Sequence, residues 1–531
     1  MKVRLIYSFI LFQVLILPCF GQAIRNINLD FEPVEILAWP GLHSFSYGTY
    51  KGKIVCVGGR KDGIHARQPF NAFPETYNNS TIYIINVENQ EVDSISLQDY
   101  SESVKSHLQA NNHEFYQDGK YLIIIGGYAF RKKEKKHITF PYITVLDLEK
   151  IIDGRRNKYT ISNAIHQIKD KRFAITGGQM GKIDDEYILV GGHKFDGQYN
   201  PINAPTFTQE YTDGLLRFKL DVHGKKIKVT KFHKVNDALH LHRRDFNLVS
   251  TKFSDGEQGY SLYSGVFQIN KELPFLYPVE IRKKRHLPSF NFNQYLSNYH
   301  STKFSARING KMLTFFLGGI SQYYIDGKSI ISDELVPFVN TISVIDQDSH
   351  FEYKLSDVMP SLIGAAGELV LSANLNGNLN STLELENWDG NKKEVGYLIG
   401  GIASDIDHPF QMNSSQVQSK SSKVIYKVTI SQKDSSYLTP VVMRKICTAA
   451  NLLKLDELIG IVKISVEIES KADLYFMNQY GKIIHSMKDV VLNQGVNNIS
   501  ISMQKKLETI HQAMLIINGN EFMDISPSHK N

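Results

Sequence analysis

"YILVGGHKFDGQY", residues 187–199, is the stretch on which the fold turns. A wholly apolar run, Tyr187 to Val190, ends in Gly191-Gly192 and gives way at once to a histidine and aromatic residues. Gly-Gly after a strand can cradle a phosphate, make a tight turn, or mark one copy of a repeated unit. A phosphate cradle needs a helix N-terminus behind the loop, with Lys-Ser/Thr or a third glycine. Here loop and then strand follow, so recurrence is the remaining test.

The motif recurs. "KIVCVGGR" (Gly58-Gly59), "YLIIIGGY" (Gly126-Gly127), "LTFFLGGI" (Gly318-Gly319) and "GYLIGGI" (Gly400-Gly401) repeat it, and "YSLYSGV" with Ser264-Gly265 is a degenerate copy. With Gly191-Gly192 that makes six. Each copy has a turn signal just upstream, such as "QDGK" (Asp118-Gly119) or "INGK" (Asn309-Gly310), and a β-rich run downstream, such as "TIYIINVE" (81–88) or "TISVIDQD" (341–348). Asp-Gly and Asn-Gly accept positive φ cheaply, as a tight hairpin requires. A fourth run often follows, and helical periodicity is nearly absent over 24–435.

Four short strands repeated six times leave too many edges for one flat sheet, whereas a radial arrangement protects them. Over residues 32–435 the sequence resembles the kelch repeat family, which carries this doublet, this turn and this downstream strand. The resemblance implies an all-β chain with a six-bladed kelch-type β-propeller, and glycines that serve close packing rather than phosphate. Longer units, the scarcity of the downstream Trp and Ser264-Gly265 depart from the family pattern. "HRRDFNLV", "FFLGGISQYY" and "VGYLIGGIAS" resemble exported Bacteroidota kelch proteins. A ring of this kind must close. "PVEILAWP" (33–40) is expected to supply the outer strand of the last unit, with "YLTPVVMRKI" (437–446) as its competitor.

From about residue 447 the doublets stop and short alternating runs predict a small C-terminal β-sandwich. Tyr475 to Ile484, Gly495 to Ile501 and Ala513 to Ile517 resemble the sorting domain of type IX secretion cargo, though the usual Asn-Pro and Gly-x-Tyr are missing. At the other end, Lys2 and Arg4, the apolar run Leu5–Leu17 and Gly21 read as a secretory signal peptide cut near Gly21/Gln22. The expected organisation is a signal peptide at 1–21, the propeller at 22–445 and the sandwich at 446–531. The expected location is secreted or on the outer-membrane surface, with no transmembrane segment after processing. Cys56 and Cys447 alone do not make a disulfide framework. A net charge of +6, with basic residues grouped in "RKKEKKH" (131–137) and around 281–286, reads as solvated loops and not a nucleic-acid patch.

Functional residues on such a scaffold sit on loops at one mouth. The loops entering the units offer His43, His113, Arg172, His242, Arg243, Arg244, Asp245 and His300. The loops leaving the inner hairpins offer Arg60, His65, Arg67, Tyr128, Arg131, His193, Tyr199, Tyr323, Tyr324 and His408. From these the ligand-binding set is taken as His43, His113, Arg172, His193, His242, Arg243, Arg244, Asp245, His300 and Tyr323. The sharpest cluster is "HLHRRDF" (240–246), with His240 and His242 expected on one strand face and the Arg-Arg-Asp able to clamp a carboxylate or a sugar. No catalytic residue, metal or cofactor is assigned, because no complete ligand set, nucleophile elbow or Tyr-Cys crosslink can be traced. The sequence favours a binding module for a glycan, peptide or protein, with the type IX machinery as a further partner. An exported carbohydrate-active enzyme is the alternative.

Overall fold

A strand such as "YLIII" has no polar face, so it is stable only when both faces are covered. The computed structural model describes residues 26–65, 72–154, 161, 163–200, 206–223, 226–269, 272–290, 292–327, 329–375, 382–409, 418–441, 450–456, 461–466, 469–477, 483–500, 512–517 and 521–524. The segment 1–21, Arg67, Cys447 and residues 201–205 of the long third-unit loop lie outside them.

The chain is all-β, and the described residues before 442 form six successive large sheets, antiparallel except for Thr382–Leu385 beside Thr302–Ile308 in the fifth, and a separate two-stranded hairpin of Tyr323–Asp326 and Ser329–Ser332. Sheet 1 holds Ser46–Tyr50, Lys53–Val57, Thr81–Asn86 and Glu91–Ser96. Sheet 2 holds Asn111–Asp118, Tyr121–Arg131, Tyr142–Asp147 and Ile165–Lys169. Sheet 3 holds Thr176–Ile183, Glu186–Gly197, Gly214–His223 and Lys226–Asn236. Sheet 4 is shorter, with Asn247–Lys252, Gln258–Tyr263, Val279–Ile281 and His286–Pro288. Sheet 5 is built on Thr302–Ile308, Lys311–Ile320, Phe338–Asp346 and Phe351–Val358. Sheet 6 holds Leu362–Leu371, Lys393–Ser404, Ile425–Gln432 and, on its outer edge, Ile27–Val34.

The packing explains the apolar strands. Leu122 and Ile124 join a cluster with Val55, Val57 and Ile84 of sheet 1. Ile123 and Ile125, pointing the other way, join Leu189 and Leu216 of sheet 3. Comparable clusters fill each remaining interval, including the one between sheets 6 and 1, where Ile399 and Ile425 meet Ile54 and Ile85.

The glycine doublets tie neighbouring sheets together. All eleven glycines of the six motifs have positive φ, and Ser264 shares it at 52°. The N–H of the second glycine donates to a carbonyl that leads into the next sheet: Gly59 to Ala110, Gly127 to Ile175 and Gly192 to Arg243, each at 2.8 Å. Gly265 reaches Asn298 at 3.2 Å, and Gly401 reaches Leu42 at 2.8 Å. Ser264 fits the degenerate position because its hydroxyl also donates to the Asn298 carbonyl, at 2.8 Å.

The succession closes on itself. Ile27–Val34 runs antiparallel to Ile425–Gln432 from Ile27↔Gln432 to Val34↔Ile425. This closing strand begins six residues before the expected 33–40 and overlaps it only at Pro33 and Val34 (27 to 33 is six positions). Its competitor contributes Leu438–Pro440 to the outer edge of sheet 5 instead. The register explains the choice, because the alternating apolar residues Ile27 and Leu29 point into the core shared by sheets 5 and 6.

Beyond residue 450, two sheets share one core. Ala450–Asp456, Ile461–Val466 and Gly495–Ser500 form the first, and Ser470–Met477, Ile483–Leu492, Gln512–Ile517 and Glu521–Asp524 the second. Leu474, Phe476 and Leu515 face that core. Tyr475, Met477 and Met514 belong to the apolar cluster of sheets 3 and 4 with Phe275 and Tyr277. Among the described residues no helix is long and apolar enough to cross a membrane.

Candidate functional site

The first strands of the six sheets line one axial space, divided into a mouth cavity of about 280 Å³ and an inner cavity of about 250 Å³. Ser44, Asn112, Gly177, Asp245 and His300 border both cavities. These residues and Ala366 occupy corresponding places in the six sheets, and all but His300 have φ between 51° and 71°. Backbone bonds run around this collar: Asn112 N to Ser44 O, Ser44 N to Ala366 O and Ala366 N to His300 O at 3.0 Å, and Asp245 N to Gly177 O at 3.3 Å. A left-handed residue with a Cβ costs about 1–2 kcal/mol, so the collar persists because its neighbours fix it.

Five residues of the expected set border the mouth cavity: His43, His193, Arg244, Asp245 and His300. Phe73, Tyr128, Phe195, Tyr199, Phe267 and Tyr299 add aromatic walls. Burial lowers the His43 pKa, outweighing the pull of Asp62 at 3.4 Å. Arg60 is committed to the fold, with bonds to Asp62, Asn78 and the Pro74 carbonyl. Arg244 differs. Its guanidinium lies 4.2 Å from the Phe267 ring centroid and 3.8 Å from the Asp245 carboxylate, while its buried Nε has no hydrogen-bond partner.

His193 stands beside it. Its Nδ1 lies 2.8 Å from the Gln209 amide nitrogen and 3.4 Å from Arg244 Nη1. Two donors on Nδ1 put the ring proton on Nε2. Burial first, then the charge of Arg244, holds the ring well below the usual histidine range. Burial likewise pushes the Asp245 carboxyl up, against the opposing pull of Arg244.

His300 of the collar meets Lys303 and Glu368 at the inner cavity. His300 Nε2 is 3.7 Å from Glu368 Oε1, and Lys303 shares the wall. Burial raises Glu368 to about 7 despite Lys303 nearby. Burial also lowers Lys303, and it lowers His300 well below its ordinary value.

The other expected residues are elsewhere. His113 is buried between sheets at the edge of the inner cavity, with Nε2 2.8 Å from the His107 carbonyl, and burial lowers its pKa to about 4. Arg172 lies outside both cavities, paired with Asp170 and stacked on Phe232 at 4.3 Å. His242 pairs with Asp213 at 2.5 Å and stacks on Tyr211 at 3.7 Å. Arg243 is fully buried on backbone carbonyls. Tyr323 is buried against Tyr295. His240 and His242 do not share a strand face, because the strand starts only at Asn247. His240 Nδ1 is instead 2.8 Å from the Tyr277 hydroxyl. Of the leaving-loop residues, Tyr324 and His408 also stay out of the mouth cavity, whereas Arg60, His65, Tyr128 and Tyr199 border it.

No protein-family model and no curated protein matches the chain. Among solved structures it is similar to YjhT, with a TM-score of 0.40 and 10% identity over 74% of this chain and 98% of that one. It is also similar to a fungal alcohol oxidase of the AA5 family in complex with copper, with a TM-score of 0.36 and 9% identity over 94% and 99%. At these scores the likeness decides neither fold nor function. Both rest on this chain's own strand pairing and side chains.

Lys303 and Glu368 escape a search of the loops because they sit inside inner strands. The available signal is a lone charge within an apolar first strand, as in "TKFSA" and "GELVL". Glu368 also gives a pH test. Its folded pKa lies above the ordinary 4.5, so between pH 4.5 and 7 the folded state binds more protons than the unfolded one. Stability from this group is therefore lost as pH rises through that window. His300 and His193, both lowered, act with the opposite sign below pH 6.5. The difference between Glu368→Gln and the parent isolates the carboxyl. In urea titrations from pH 4.5 to 8 the variant should gain steadily on the parent up to about pH 7 and then level off. A difference independent of pH would refute the assignment.

Proposed function

We propose that the six sheets are the blades of a kelch-type β-propeller and that its mouth cavity binds a glycan. Six doublets, six inter-sheet cores and closure by the N-terminal strand support the propeller reading. The two sheets after residue 450 fit a C-terminal sandwich, and the signal-peptide pattern supports an exported protein, secreted or on the outer-membrane surface. Sorting by a type IX machinery would follow from the C-terminal motifs. Detection by mass spectrometry of a mature chain starting at Gln22 and lacking its last ~80 residues tests both export and processing.

One observation carries the glycan reading: the Nε of Arg244, which makes no hydrogen bond and only a 3.8 Å ion pair with Asp245, lies at a cavity walled by aromatic rings, with His193 alongside. Aromatic faces take the apolar C–H side of a sugar, and the polar groups take its hydroxyls or a carboxylate. A charge-assisted bond contributes about 1.5–3 kcal/mol. On a glycan array, Arg244→Ala should therefore weaken whatever the parent binds by roughly ten- to hundred-fold. Undiminished binding by the variant would move the site elsewhere. An exported carbohydrate-active enzyme is the second reading, favoured by the ionisable Asp245, His300, Lys303 and Glu368 along one axis. Chromatography of the bound glycan after incubation separates the two, because turnover would establish catalysis and unchanged glycan a binding module.

A further inference from the structure

A third cavity lies outside the axial space, between sheets 2 and 3, with a volume of about 690 Å³. Lysine and arginine side chains reach it from four separate stretches: 131–136, 169–172, Lys194 and Lys234. Three of these cations already have carboxylate partners: Arg131 with Glu134, Arg172 with Asp170 and Lys194 with Asp196. Lys136, Lys169, Lys171 and Lys234 form no ion pair among the described residues, and Glu210 is the one acidic lining residue left to oppose them. The groove thus carries about three uncompensated positive charges (four lysines less one carboxylate). Ile138, Leu216, Phe232 and Tyr211 complete the lining, with the Phe232 ring covered by the Arg172 guanidinium at 4.3 Å and the Tyr211 ring by His242 at 3.7 Å.

We propose that this groove binds an acidic polysaccharide, one carrying carboxylate or sulfate on successive sugars. Cations from four separate stretches line a cavity of about 690 Å³, which matches several anionic groups on one chain better than a single phosphate. A bilayer is flat and a nucleic-acid duplex is a rigid rod, so neither follows a concave floor. The groove is separate from the mouth yet shares a wall with it. Along Glu186–Gly197, His193 and Phe195 border the mouth, and Lys194 and Asp196 border the groove. The groove reading does not depend on what the mouth holds.

The test uses the full chain with polygalacturonate and dextran sulfate as probes, neutral dextran as control, and duplex DNA and anionic phospholipid vesicles as competing surfaces. Either acidic polysaccharide should bind, neutral dextran should not, and affinity should fall at least tenfold between 50 and 200 mM salt as counterions compete. Lys136→Glu with Lys171→Glu should reduce binding at least tenfold, with unfolding midpoints unchanged, since both lysines lie at the surface. Arg244→Ala should leave it intact, so failure here is distinct from failure of the mouth reading. Equal binding of neutral dextran, indifference to charge reversal, or tighter binding of DNA or vesicles would overturn the proposal.

Discussion

Gly126→Ala should destabilise the protein by about 4 kcal/mol, while Gly310→Ala should cost about 1 kcal/mol. Both glycines have positive φ, 66° and 85°, so the conformational penalty is shared. They differ in their surroundings. A Cβ at Gly310 meets nothing, whereas one at Gly126 overlaps the Ile175 carbonyl oxygen and crowds the Glu114 carboxyl. That carbonyl accepts the Gly127 N–H at 2.8 Å, so relieving the overlap breaks the link between sheets 2 and 3. Separating the sheets also loosens Ile123, Ile125 and Leu189 at their shared core. Urea unfolding followed by far-ultraviolet circular dichroism measures both variants. Equal costs would mean that the doublets are mere turns and not inter-sheet ties.

The same contrast explains how far the sequence could be read. The doublets were legible because each records a close backbone contact at positive φ, which glycine accepts most readily, and the contact recurs from sheet to sheet. Ser264 breaks the pattern in type but not in role, since its hydroxyl reaches the same kind of carbonyl. The closing strand was harder. Ile27–Val34 looks like any alternating run, and only its register against Ile425–Gln432 sets it apart from residues 437–446. At the site, residue types on entering loops led to Arg244, Asp245 and His300, because loop position does not depend on register. They also led to Arg172 and His242, whose side chains turn to local carboxylates instead. Lys303 and Glu368 remained hidden because strand direction, and not composition, brings them to the axis.

Arg243 and Arg244 are adjacent, and their substitutions should have opposite consequences. Arg243→Ala should cost about 4 kcal/mol of stability and leave ligand affinity unchanged in the protein that remains folded. The Arg243 Nε donates to the His240 carbonyl at 2.7 Å, and Nη1 donates to Ser264 at 2.8 Å and Tyr277 at 3.1 Å. Its guanidinium lies 4.1 Å from the Phe275 ring and 4.8 Å from that of Tyr277. Burial lowers its pKa only to about 10, so it stays charged at neutral pH, held by carbonyl dipoles and aromatic faces. Truncation leaves three buried carbonyls short of a donor, at about 1–3 kcal/mol each before relaxation, and opens a void beside two rings. Arg243→Lys should recover little, because one ammonium cannot reach three carbonyls in the geometry of the fork. Arg244→Ala, whose side chain borders the mouth cavity, should change stability by less than about 1 kcal/mol and weaken binding roughly ten- to hundred-fold. Paired urea titrations and binding measurements on the two variants decide the matter. Loss of affinity in folded Arg243→Ala, or a large loss of stability in Arg244→Ala, would reverse the division between the arginine that holds the sheet and the one that faces the ligand.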